Sequence, residues 1–412
     1  MARLVGPDAA ASVPAMSEPP TPRDADQAPL DVVIVGGGVA ALEAALALRA
    51  EAGARVRLTI LAPAPDFVYQ PMAVLEPFVR RSPRHLPLAD LAADVDATFV
   101  QDSATSVDVA ARIVRTAEHG EIRYDALLIA VGARAGEVLE NAIVVDIARM
   151  HESLDEVLKE IDGGALRSLA LVAPVPTWPL PAYELALLLN EHARENGVAL
   201  DVTVVTAEPR PLGAFGASVS AEVASVLAGA GVETIAGVTV EWAGGELIAQ
   251  PGAAVLNFDR VVALPRLSGP AIAGLPADAD GFLVVDGAGQ VLGAERVYAA
   301  GDATSFPVKY GGIAAGQADA AAASIALLAG VAADPAPFDG VVHGFLMGGR
   351  KQPRRYFTVR IADGEAVAAD ASTDWTPGAK VGAKHLGPYL DQRWAEGGRF
   401  IAGPLEPPGA RP

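Results

Sequence analysis

An α/β fold built on doubly wound parallel sheets is predicted by three stretches of the sequence. DVVIVGGGVAALEAALALRA, Asp31 to Ala50, runs from a β-branched strand through three glycines into an alanine-rich helix. VRLTIL, Val56 to Leu61, follows as the second strand of a strand–turn–helix–strand unit. SLALVAPV, Ser168 to Val175, opens a second series of the same kind.

The remaining elements follow in order. Val39 to Ala52 is a helix by length and composition, and ALLIAVGA, Ala126 to Ala133, is a buried strand. In the second series, a helix over Tyr183 to Asn196 leads to the strand DVTVVTAE. RVVALP and RVYAAGD are later buried strands, and Gly312 to Leu328 is a helix. Beyond Asp334 the texture changes. YFTVRI and EAVAAD read as antiparallel strands of a separate piece, and GPLEPPGARP is too rich in Pro and Gly to be ordered.

The expected organisation is a leader over 1–29 and the first part of a dinucleotide-binding domain over 30–150. A second dinucleotide fold covers 151–265, and the first domain returns over 266–333. A C-terminal domain over 334–403 and a tail over 404–412 complete the chain. The two main domains are expected to be Rossmann-like, three-layer ββα units, with a small α+β C-terminal segment.

The opening glycines fit a phosphate-binding turn. Gly36 permits the tight exit from the strand, and Gly38 lets backbone approach a pyrophosphate. Ala41, in place of a third glycine, is small enough for close helix–strand packing. The helix start then offers free N–H groups and a positive dipole end. The acid that ordinarily binds a ribose hydroxyl at the end of the second strand is missing, because Ala62 stands there.

Composition excludes several functions. The 412 residues carry a net charge of −19, which repels nucleic acid and disfavours broad docking on an anionic membrane. None of the residues is cysteine, so there are no disulfides, thiolate nucleophiles or Cys-ligated metals. The six histidines form no metal-binding spacing. The leader lacks an apolar core of the signal-peptide kind, and no uninterrupted apolar run reaches 18 residues. A cytoplasmic protein without a transmembrane segment is the expectation.

YDALLIAVGAR, Tyr124 to Arg134, and ERVYAAGDAT, Glu295 to Thr304, add two more signatures. With the Gly-rich turn, and in this order, they resemble the two-dinucleotide-domain FAD-dependent flavoproteins, the pyridine nucleotide-disulfide oxidoreductase superfamily. Val131 replaces a usual Thr. The resemblance implies non-covalent FAD, with Gly36, Gly38, Ala41, Ala130, Gly132, Gly301 and Asp302 at the cofactor. Asp302 takes the aspartate's role toward the ribityl or pyrophosphate region, and Gly301 allows close approach.

FVYQPMAVLEPF and FPVKYGGIAAGQADAAAASIA look like segments of the sulfide:quinone reductase and type II NADH dehydrogenase branch. The resemblance places Pro71 against the flavin and the Gly312 helix start at the pyrimidine carbonyl. Lys309 is then either a positive charge near the flavin or an ordinary exposed lysine. Lys380 matches a lysine that the branch keeps near the flavin. Glu184 falls where the branch keeps an active-site glutamate, and its alternative role is a helix N-terminal carboxylate.

Aligned on Tyr183-Glu184-Leu185-Ala186, the second turn places Thr177, Pro179 and Ala182 where the family keeps three glycines. Proline has no N–H to offer a phosphate, so NAD(P)H is expected to bind poorly. Without cysteine the branch's sulfide mechanism cannot run. The expected function is an FAD-dependent oxidoreductase passing electrons from a small-molecule donor to a quinone-like or other acceptor. The alternatives are an NAD(P)H:acceptor oxidoreductase and a flavin-binding regulatory protein without turnover. A homodimer is left open. AKHLGPYLDQRW, Ala383 to Trp394, is the one amphipathic candidate for peripheral membrane contact. Gly387-Pro388 interrupts it, and packing on the flavin domain is the preferred reading.

Overall fold

A computed structural model of the chain describes residues 28–79, 85–136, 139–175, 177–331, 336–350, 355–362, 365–370 and 381–396. Lys380, the tail over 404–412 and the leader up to residue 27 lie outside the described residues.

Strand Leu30–Val35 is buried on both sides, and its residues alternate between two cores. Leu30, Val32 and Ile34 face one, while Val33 and Val35 face the other. A strand buried on both faces belongs inside a parallel sheet. It pairs in parallel with Val56–Ala62 and with Ala126–Ile129. Val297–Ala299 and Ala97–Gln101 complete the five-stranded sheet at its two edges.

Helices Val39–Ala52 and Gly311–Leu328 cover one face through small side chains such as Ala41, Ala44, Ala318 and Ala321. The antiparallel meander Ala104–Asp108, Ile113–Thr116 and Glu121–Arg123 covers the other with Val107 and Val114. The layers are therefore β, β and α. The expected strand to Ala133 stops at Ile129, and Gly132 beyond it has a positive φ of 74°.

A second parallel sheet repeats the plan, in the order Ile143–Val144, Arg260–Ala263, Ser168–Ala173, Asp201–Thr206, Glu233–Ala236. Leu169 and Leu171 face a helical layer, and Ala170 and Val172 face the antiparallel strands Thr239–Ala243, Glu246–Gln250 and Ala254–Leu256. Ile143–Val144 joins this sheet although it precedes the expected boundary at residue 151. The helix expected from Tyr183 begins earlier, at Leu180, with proline in its first turn. Proline is tolerated there because that N–H has no helical partner.

Val341–Leu346, Arg355–Ala362 and Glu365–Asp370 form the expected antiparallel sheet. The last described helix is Leu386–Glu396. Gly387 and Pro388 do not interrupt it, because they fall in its first turn. Leu386 and Leu390 are each 1% exposed and pack with Leu42, Phe67, Leu88 and Leu91 of the first domain.

Two helices among the described residues are long and apolar enough to cross a membrane, Gly213–Ala230 and Gly311–Leu328. Both lie in the helical layers. Val219, Val223 and Leu227 anchor the first, and a run of buried alanines anchors the second.

Candidate functional site

The first turn leaves strand Leu30–Val35 at the carboxyl edge of its sheet, where ligands bind in doubly wound folds. Its three glycines do different work. Gly36 has φ +130°, and a Cβ there would lie 2.2 Å from the Ala130 carbonyl oxygen. A Cβ on Gly37 would meet Leu88 at 2.6 Å, whereas on Gly38 it would meet nothing within 4 Å. Gly36 and Gly37 thus let the chain pack, and Gly38 faces open space. Gly38 is also the N-cap of helix Val39–Ala52, which has neither a side-chain cap nor an acid in its first turn. Its positive end is left for a ligand.

Opposite this turn, Ala130 is tied to Val35 by a 2.8 Å backbone bond, and Gly132 opens onto free space. A Cβ on Gly301 would lie 3.2 Å from the Ala314 Cβ and 3.3 Å from the Ala40 Cβ, so its bare backbone lets the loop pack closely between two helices. Its N–H donates to Gln317 Oε1 at 2.8 Å, which pins the loop to helix Gly311–Leu328.

Asp302 follows directly. Burial pushes its carboxyl up, and Lys309 opposes this. Lys309 is 4% exposed, which overturns its reading as an ordinary surface lysine. Its Nζ donates to the Thr304 carbonyl and lies 3.9 Å over the Phe282 ring. Burial draws its pKa down to about 8, against the pull of Asp302 and Asp278.

The start of helix Gly311–Leu328 is a meeting point. Its N-cap is Tyr310, and again no side chain caps it and no acid sits in its first turn. Tyr310 donates to the His343 carbonyl at 3.0 Å. Its phenol is held neutral by burial, with Tyr69 and Glu184 adding negative potential. Gly312 packs under the Tyr310 ring, and Gly311 under Val381. Tyr69 accepts from Val381 N at 3.2 Å, and Pro71 opens the 3-10 helix Gln70–Phe78 just after it. Glu184 is buried in helix Leu180–Glu195 and accepts from Met347 N at 3.0 Å. It therefore bridges to the residue that follows the C-terminal strand Val341–Leu346.

In the second turn an aromatic side chain is folded onto the core. Trp178 lies 5.0 Å from the Tyr310 ring and 5.2 Å from that of Phe215, centroid to centroid. Beyond strand Asp201–Thr206, Glu208 stands where a second unit would present a ribose-binding acid. Tyr183 donates to it at 2.7 Å, and burial pushes the Glu208 carboxyl up. Trp178, Tyr183 and Glu208 did not figure among the site residues expected from sequence. Glu208 was detectable from its place two residues past a strand. The contacts of Trp178 join distant parts of the chain and leave no local signal.

Comparison with known proteins agrees with this architecture. The family model described as "Pyridine nucleotide-disulphide oxidoreductase" matches residues 30–324. Sulfide-quinone reductase from Aquifex aeolicus is 29% identical over 196 residues, which are 45% of this chain and 44% of that protein. The matched stretch thus spans less than half of that relative. The solved sulfide:quinone oxidoreductase of Aquifex aeolicus superposes with a TM-score of 0.74 at 21% identity, covering 89% of this chain and 91% of that one. A ferredoxin reductase from Rhodopseudomonas palustris gives 0.60 at 21% identity, covering 80% and 82%. An NAD-dependent persulfide reductase from A. fulgidus gives 0.59 at 20%, covering 80% and 64%. At these identities the structures show a shared fold.

Proposed function

The chain belongs to the pyridine nucleotide-disulphide oxidoreductase family and is an FAD-dependent oxidoreductase; from that premise we propose that it passes an electron pair from a small donor other than NAD(P)H to a quinone-like acceptor. The contrast between the two turns carries this reading. Gly38 leaves a cradle that a Cβ would fill, whereas Trp178 occupies the second turn and Tyr183 engages Glu208. The quinone-like acceptor is suggested by the likeness to sulfide:quinone reductase.

The residues present fit FAD. Gly36, Gly38, Ala41, Ala130 and Gly132 surround the first turn, and Asp302 offers a carboxylate to a hydroxyl of the cofactor. Bound there, FAD supplies a two-electron carrier. The start of helix Gly311–Leu328 offers roughly half a positive charge to an electron-rich ring edge. Lys309 sits behind Asp302 and balances its charge inside the domain. Neutral Tyr310 and buried Glu184 hold the helix start against the C-terminal sheet, and Glu184 is the group proposed to take or give a proton there. Pro71 completes the proposed surroundings of the flavin, and Lys380 lies outside the described residues.

With no cysteine in the 412 residues, the donor hands over its electrons without a protein thiolate. The acceptor half is tested first. Protein photoreduced without oxygen is mixed with a short-chain benzoquinone, and the visible flavin band is followed. Saturable return of the band, well ahead of free FAD under the same conditions, is the expected result. Return no faster than free FAD, and linear in quinone, removes the acceptor from the proposal.

A further inference from the structure

Two acidic side chains and a histidine meet where the last described helix docks on the first domain. Glu43, in helix Val39–Ala52, is fully buried. Its two carboxylate oxygens accept from the backbone N–H groups of His385 at 2.8 Å and Leu386 at 2.5 Å. A carboxylate at the start of helix Leu386–Glu396 is favoured by the helix dipole. Asp319, in helix Gly311–Leu328, lies within hydrogen-bonding reach of Glu43. Among the described residues its Oδ1 has no hydrogen-bond partner, and neither has His385 Nε2, which faces it at 3.9 Å.

Glu43 is fully buried and Asp319 keeps about a quarter of its side chain (27%) open to solvent, so the two carboxyl groups repel each other least when they share a proton that solvent can still reach. Glu43 already accepts two N–H groups, so the proton resides on Asp319 and is donated toward Glu43. The other charged groups around the pair are on the same elements. Glu51 is on the helix of Glu43, and Lys384, which pairs with Glu51 at 3.6 Å, precedes His385. Strand Val341–Leu346 also packs on helix Gly311–Leu328, and its His343 is engaged by Thr358 Oγ1 at 2.9 Å. Further along the docked helix, Tyr389 and Arg393 both bind Asp94.

In the same segment as His385, Val381 rests on Gly311 and donates to Tyr69. We propose that the Glu43–Asp319 carboxyl pair, facing His385, is a proton-operated latch that keeps the strap Val381–Glu396 closed over the start of helix Gly311–Leu328. Loss of the shared proton to solvent sets two carboxylates against each other beneath the strap and loosens it. The importance of what the strap covers rests on the flavin site proposed above. The latch itself does not, because its test reads the strap directly.

Burial and the neighbouring Glu43 raise the Asp319 pKa from 3.8 to about 8. A folded-state pKa above the released-state value means that the closed strap is most stable below about pH 4 and weakens as pH rises toward about 8. The opening constant therefore climbs about tenfold per pH unit over that window and levels off above it.

The flavin-loaded full chain is examined by hydrogen exchange at the His385 and Leu386 amides between pH 5 and 9, corrected for the intrinsic pH dependence of exchange. The absence of native cysteine allows a second reporter, Leu390→Cys, whose thiol-labelling rate is divided by that of a free thiol at each pH. The expected result is a loss of protection of up to tenfold per unit that flattens near pH 8. Asp319→Asn should keep the strap closed at all pH values, and His385→Gln should retain the dependence. Three results overturn the proposal: protection independent of pH in the wild type, dependence that survives Asp319→Asn, or strap amides that exchange no faster than those of strand Ala126–Ile129.

Discussion

The turn after strand Leu30–Val35 and the turn after strand Ser168–Ala173 sit at the same edge of two sheets built alike. Each leads into a helix that begins without a side-chain cap. The first turn spends two glycines on packing and leaves the third open. The second replaces glycine with Thr177 and Pro179 and folds Trp178 onto Tyr310 and Phe215. A dinucleotide site thus needs more than its fold. It needs a turn whose backbone is bare, and the second turn carries side chains and a proline where the first has glycine.

The comparison breaks most visibly at Gly36. Gly36→Val puts a branched side chain where even a Cβ lies 2.2 Å from a backbone oxygen, at a φ that valine avoids. A loss above about 4 kcal/mol is expected, seen as little soluble protein. Gly38→Val is the partner experiment. Its side chain enters open space, so circular dichroism and apoprotein melting should be unchanged while bound flavin is lost. Equal damage from both would show that the third glycine is structural too.

The second turn is sharpened by restoring the first turn's character. Thr177→Gly, Trp178→Gly and Pro179→Gly together clear the aromatic side chain and return one N–H donor. A hydrogen bond to a charged group is worth about 1.5–3 kcal/mol, so NADH affinity by calorimetric titration should rise about tenfold or more. No gain would mean that something other than this turn excludes the nucleotide.

Asp302→Asn tests the other wall of the first site. Flavin affinity should fall by about 10- to 100-fold, the loss of one charge-assisted bond. It also takes from Lys309 the nearby carboxylate that raises its pKa, which should then fall below about 8.

Much of this was readable in the sequence. A continuous β-branched run ending in three glycines placed strand Leu30–Val35, and the bounds of helix Val39–Ala52 follow from its Gly neighbours and unbroken alanine-rich run. Prolines were harder to read. The helix expected from Tyr183 starts at Leu180 with Pro181 in its first turn, and Pro388, read as a break in the last helix, also sits in a first turn where no N–H is missed. Lys309 could not be read locally, because the Phe282 ring and Asp302 that make burial tolerable are tertiary neighbours. The ribose acid was sought after the first unit's second strand, where Ala62 stands, and the same test on the second unit would have reached Glu208.

Tyr183→Phe probes the second turn through its partner carboxylate. Glu208 has a folded pKa above its ordinary value, so its contribution is present below about pH 4.5 and is lost as pH rises through the folded value. Removing the phenol that stabilises the carboxylate raises that pKa further. Stability at neutral pH should fall by about 1–3 kcal/mol, and the decline with pH should extend to higher pH. Thermal melts from pH 5 to 9 read both.

The central claim is that electrons do not enter through the second turn, and anaerobic stopped-flow mixing with NADH and NADPH tests it most directly. The account predicts slow flavin bleaching whose rate rises linearly with nucleotide and shows no saturation in the micromolar range. Fast bleaching that saturates at micromolar NADH or NADPH would contradict it, and would make the Trp178 turn a working nucleotide site.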